Sequence, residues 1–140
     1  MPANVQPIYS KEADVQWTTT AMTALNTTKD LTSGTIYLAF TADATNGGFV
    51  QRIRFRSLGT SGSATVARIW INNGATTATA ANNTLIDEIS LPTITNTETA
   101  AQSNYELPLN FALSAGYRIY VTLGVAPGAG WQATVFGGKY

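Results

Sequence analysis

The sequence predicts an all-β protein: an antiparallel β-sandwich, jelly-roll-like, of about eight strands behind an extended N-terminal arm. Three observations carry this. Short segments rich in Thr, Ile, Val, Tyr, Phe and Trp alternate polar with apolar residues. Clusters of Gly, Asn, Ser and Pro interrupt them every 8–12 residues or so. No stretch holds the period of an amphipathic helix.

Residues 1–14, with Pro2 and Pro7 and no periodicity, read as an extended arm, and residues 15–140 as a single β-sandwich domain. The first strand is expected over Val15 to Met22, followed by turn chemistry from Asn26 to Ser33. Residues 35–41 form the second, with Ile36, Leu38 and Phe40 on one face and Tyr37 on the other. Asn46-Gly47 then predicts a hairpin, because both residues tolerate positive φ. Its return strand runs from Phe49 to Leu58, where Arg52, Arg54 and Arg56 share a face. Ala64 to Asn72 follows, setting Val66, Arg68 and Trp70 against Ala67, Ile69 and Ile71. Residues 75–83 are a small, polar loop with enough alanine for a short helical turn.

Thr84 to Leu91 is a strand that Pro92 ends. After a polar loop over 93–103, Asn104 to Leu113 alternates through Tyr105, Leu107, Leu109 and Phe111, and Pro108 places that strand at an edge or a bulge. Residues 116–124 turn Tyr117, Ile119, Val121 and Leu123 inward. A turn over 125–130 leads to the return strand, Trp131 to Phe136.

Composition narrows the function. The 140 residues include no cysteine and no histidine, which removes thiol catalysis, disulfide frameworks, zinc fingers and histidine-based proton transfer. The eight acidic residues are scattered and form no carboxylate pair of the kind a glycosidase uses. No enzyme activity, cofactor or metal is expected. Eight basic residues balance the eight acidic ones, and only 11% of the chain is charged, so no global field draws in a nucleic acid. Neither a secretory apolar run near the start nor an 18-residue apolar span is found, and no membrane partner is expected.

Two groups of residues are candidates for binding. Val5, Pro7, Ile8, Tyr9 and Trp17 put apolar side chains on a segment with no evident place in the core, a pattern suited to an arm that grips a partner. Arg52, Arg54 and Arg56 project from one side of one strand, and Arg68 on a nearby strand extends the row into a charged contact stripe. Acidic relief for these arginines is expected from Asp87, Glu88 or a neighbouring subunit.

The runs 113–124 and 130–140 resemble the C-terminal hairpin of small structural proteins encoded by tailed bacteriophages, and Val66 to Gly74 is similar in style to the same group. The resemblance implies a virion component: a capsid decoration, or cement, protein made in the host cytoplasm and seated on the capsid surface. It would bind the major capsid protein as a homotrimer, without catalysis, its linked arms gaining affinity by avidity. A tail or fibre-tip module that binds a host-surface glycan is the alternative, with Trp70, Trp131, Asn82 and Asn83 as its contacts.

Overall fold

A computed structural model describes residues 10–140. Its strands are β1 (Glu12–Trp17), β2 (Tyr37–Thr41), β3 (Gly48–Ser57), β4 (Ser61–Gly62), β5 (Thr65–Asn72), β6 (Asn83–Leu91), β7 (Ile94–Thr95), β8 (Tyr105–Leu113), β9 (Arg118–Leu123) and β10 (Trp131–Lys139). A single 3₁₀ turn, Ala80–Asn82, precedes β6. All strand pairs are antiparallel. The first sheet has the order β1-β10-β3-β8, the second β2-β9-β5-β6, and β4 pairs with β7 as a small ribbon.

Alternation explains how the two sheets meet. Val50, Ile53 and Phe55 of β3 and Trp131, Ala133 and Val135 of β10 turn inward from the first sheet, while Phe40, Ala67, Ile69, Ile119, Val121 and Leu123 turn inward from the second. They form one apolar cluster, and the result is an all-β antiparallel sandwich. Tyr105 meets Trp131 edge to face at 5.6 Å between ring centres.

Both expected hairpins are instead crossings between sheets. The Asn46-Gly47 turn reverses the chain, but β2 pairs with β9 whereas β3 pairs with β10 and β8. Asp43 organises the turn, its carboxylate accepting from the backbone N–H of Thr45 and Asn46. Gly47 sits at φ 75°, where an added Cβ would strike the Leu113 carbonyl. At the other end, the 125–130 turn carries the chain from β9 in the second sheet to β10 in the first. There Gly130, at φ 99°, lies against Met22 and Thr23. In both places the turn residues fix a reversal, and burial of the flanking apolar faces sends the two strands to opposite sheets.

Bulges correct two face assignments. A register shift between Leu38 and Phe40 leaves Leu38 exposed and buries Tyr37, whose hydroxyl accepts from the N–H of Thr23 and Ala24. Unbroken alternation would set Val50 on the face of the β3 arginines; a second shift, between Val50 and Arg52, brings Val50 into the core and keeps the three arginines outside. It falls opposite Pro108, in edge strand β8, where the missing N–H is tolerated.

At the N-terminal boundary, β1 opens at Glu12, so residues 12–14 belong to the sheet, paired with Lys139, Gly138 and Gly137. Beyond Trp17 the expected strand to Met22 breaks, and Met22 keeps only a bridge to Trp131. The arm candidates Val5, Pro7, Ile8 and Tyr9 lie outside the described residues. No helix among the described residues is long and apolar enough to cross a membrane.

Candidate partner-binding face

The outer face of the first sheet gathers most of the described candidate residues. Strand register lays them in two rows: Trp17, Thr134, Arg54 and Glu106 across one, and Val15, Phe136, Arg52 and Pro108 across the next. β1 is amphipathic in the reverse sense. Val15 and Trp17 face solvent, at 44% and 52% exposure, while Asp14 and Gln16 are half-buried. The Gln16 amide accounts for this inversion. It donates to the Thr41 carbonyl and accepts from the Thr41 N–H, both at 2.9 Å, and so ties β1 to the edge of β2 with its polar side. The apolar side is left outward.

The arginines are held differently from one another. Arg54 donates from Nε to Glu106 Oε1 at 2.7 Å, with Nη2 at 2.6 Å from the same oxygen. Arg52 Nε stands 3.4 Å from Glu106 Oε2. The guanidinium carbons of Arg52 and Arg54 lie 4.4 and 5.2 Å from the centre of the Phe136 ring, within cation–π reach. Arg56 is drawn sideways into the 102–104 loop, donating to the Ser103 carbonyl at 3.1 Å and to Asn104 Oδ1 at 3.3 Å. Two guanidinium groups therefore share one carboxylate while Arg56 meets neutral oxygens, and the face is cationic around an aromatic centre.

Arg68 does not extend this row. It lies on β5, in the second sheet, where it donates to Glu88 Oε1 at 2.8 Å. The acid that relieves Arg52 and Arg54 is Glu106, not Asp87 or Glu88. Alternation along β8 already turned Glu106 away from Tyr105 and Leu107. What sequence reasoning lacked was the pairing of β3 with β8, which sets Glu106 opposite Arg54. Phe136 was missed for a similar reason, since its place beside Arg52 depends on the pairing of β10 with β3.

Glu106 accepts a hydrogen bond from the Asn104 amide and is paired with Arg54, and these hold its carboxyl below the ordinary glutamate value. A folded pKa below the unfolded one stabilises the fold above the glutamate range near about 4.3, and that contribution disappears as pH falls through the folded value. Asp30 and Asp43, which accept from Thr32 and from Asn46 and Thr45 respectively, are lowered likewise. Thermal melting followed from neutral to acid pH should therefore show an acid-side loss of stability. The loss should be shallower in Glu106→Gln, in which the part due to this carboxylate is absent at every pH.

The residues of the glycan alternative are placed otherwise. Trp131 is in the core, and Trp70 is buried, donating from Nε1 to Thr122 Oγ1 at 3.0 Å. Their indole faces offer no platform. Asn82 and Asn83 spend their amides on the 73–83 loop, donating to the carbonyls of Thr76 and Thr77 respectively, both at 2.8 Å. Trp17 is the exposed tryptophan. A separate shallow depression of about 720 Å³, lined in part by Val66, Arg68, Leu91, Tyr105 and Val125, opens elsewhere on the domain. Among the described residues, no group of three or more Asp and Glu side chains could hold a metal ion.

Comparison of the chain with protein families, with curated proteins and with solved structures gave no match.

Proposed function

We propose that this protein is a non-enzymatic virion structural protein, a capsid decoration protein that binds the major capsid protein on the outside of a phage head and stabilises the lattice. The observation that carries the reading is the outer face of the first sheet. Trp17 and Val15 stand exposed there, beside a phenylalanine overlaid by two arginines. Aromatic residues and arginine are the types enriched at the centres of protein interfaces, and an exposed sheet face suits a lattice surface better than a cleft would. The sequence resemblance to tailed-phage structural proteins points the same way.

Strand order supports a jelly-roll form of the sandwich. Setting aside the two-residue strands β4 and β7, the first and last strands, β1 and β10, are neighbours at one side of the first sheet, and β2 and β9 are neighbours at the same side of the second. That nesting is expected of two interleaved Greek keys, a form found in viral capsid and lectin domains. Fold by itself does not choose between such roles, and the choice rests on the face.

In the sequence, residues 1–9 precede Ser10 and Lys11, which lead directly into β1. Cutting after residue 9 leaves β1 whole, whereas cutting after residue 14 would remove half of it. Purified heads lacking the protein should bind the full chain saturably on sedimentation. The chain without residues 1–9 should bind at least about tenfold more weakly, as expected when one of several linked contacts is lost, and its melting temperature should be unchanged. Absence of saturable binding by the full chain would overturn the proposal, and equal affinity of the shortened chain would remove the arm from it.

A further inference from the structure

The sandwich has four edge strands, and three of them carry a device that discourages another strand from pairing. β8 has Pro108, a register shift beside it, and Asn110 at φ 52°. β2 has only five residues, is interrupted by a shift at Leu38 and Phe40, and has the N–H and C=O of Thr41 occupied by Gln16. β6 places two neighbouring carboxylates, Asp87 and Glu88, at its centre. β1 differs. It has no proline, no bulge and no glycine, it ends the first sheet among the described residues, and its outward face carries the apolar Ala13, Val15 and Trp17, while Glu12 and Asp14 alternate to the other side.

The backbone of β1 shows which groups are open. Thr18 donates its N–H to the Ala133 carbonyl of β10. Because backbone groups along a strand point alternately to its two sides, those of Ala13, Val15 and Trp17 point away from β10, toward the edge at which no other strand lies among the described residues. These are also the residues whose side chains face out.

We propose that a second copy of this chain occupies that edge, its β1 lying antiparallel to the first across a two-fold axis at Val15. In this register Val15 faces the partner copy's Val15, and Ala13 faces the partner copy's Trp17. Each pair exchanges two backbone hydrogen bonds from the groups just described. The outward side chains form an apolar ladder, in which Val15 and Trp17 of both copies lie side by side and keep their outer surface on the shared face. On the other side Asp14 meets the partner copy's Gln16, so neither acidic residue of β1 opposes its own copy. Moving the register by one residue would place apolar side chains opposite polar ones. Moving it by two, toward the start of the strand, would set Asp14 against Asp14.

The contact is self-complementary, so it closes at two copies and joins the first sheets of both into one eight-stranded surface. It does not depend on the decoration reading. The threefold assembly implied by the sequence resemblance would need a different, head-to-tail contact.

Sedimentation equilibrium of the full chain over a concentration series tests this directly. The expected species has twice the 14.8 kDa chain mass. Val15→Lys, which brings two ammonium groups together at the axis, should give a monomer with unchanged far-UV circular dichroism and melting of the monomer fold. Val15→Thr, which preserves the backbone pairing and adds no charge, should remain dimeric. A monomeric or trimeric parent chain, or a Val15→Lys variant that is still dimeric, would overturn the inference.

Discussion

Trp131→Ala should cost about 3–5 kcal/mol of stability, enough to lower the melting temperature by roughly 10–20 °C in a domain of this size. Trp131 is fully buried and is the largest side chain in the core. It heads β10, the strand paired on both sides by β1 and β3, and its ring is met edge-on by Tyr105 from β8. Removing it opens a cavity beneath both sheets and takes away the partner of Tyr105. Trp131→Phe should recover most of the loss. Its indole N–H is buried without a hydrogen-bond partner, so phenylalanine gives up volume but no bond. Differential scanning calorimetry of the two variants checks the pair, and equal destabilisation by Ala and Phe would contradict this account of the core.

Trp17→Ala should do the reverse, leaving the fold alone and weakening attachment to the head. About half of the side chain is exposed, and no core residue depends on it, so the change in stability should stay within about 0.5 kcal/mol. At a partner surface, a central tryptophan typically contributes at least about 2 kcal/mol, which corresponds to roughly thirtyfold in affinity. Sedimentation with heads should show this loss, while the melting curve overlays that of the parent. Loss of both together would mean that Trp17 is a structural residue. Retention of both would move the contact away from β1.

Strand positions were legible because the period-two signal is local. Asn104 to Leu113 is a clear case: its inward residues Tyr105, Leu107, Leu109 and Phe111 all pack on the core, and Pro108 marks an edge strand with a bulge opposite it. The pairing of strands was not legible. Asn46-Gly47 and the 125–130 turn have the chemistry of chain reversal, and that chemistry is the same whether the next strand pairs with the last or crosses the core to the other sheet. The choice depends on burial of distant residues such as Phe40 and Ile53. Arg68 was misplaced for this reason, since residue spacing shows which side of a strand it occupies but not which sheet that strand joins.

The candidate face was visible in outline. Trp17 and the row Arg52, Arg54 and Arg56 come from spacing along single strands. Phe136, Glu106 and the inverted amphipathicity of β1 come from register between strands. Nothing local in Glu12–Trp17 reveals that Gln16 will turn inward to bind Thr41 and leave Val15 and Trp17 in solvent.

The most direct measurement is the number of copies of this chain per purified particle, by quantitative mass spectrometry against the major capsid protein. A decoration protein should be present in a fixed ratio to the capsid protein, in numbers set by the symmetry of the lattice. A few copies per particle, or none, would contradict the proposed function.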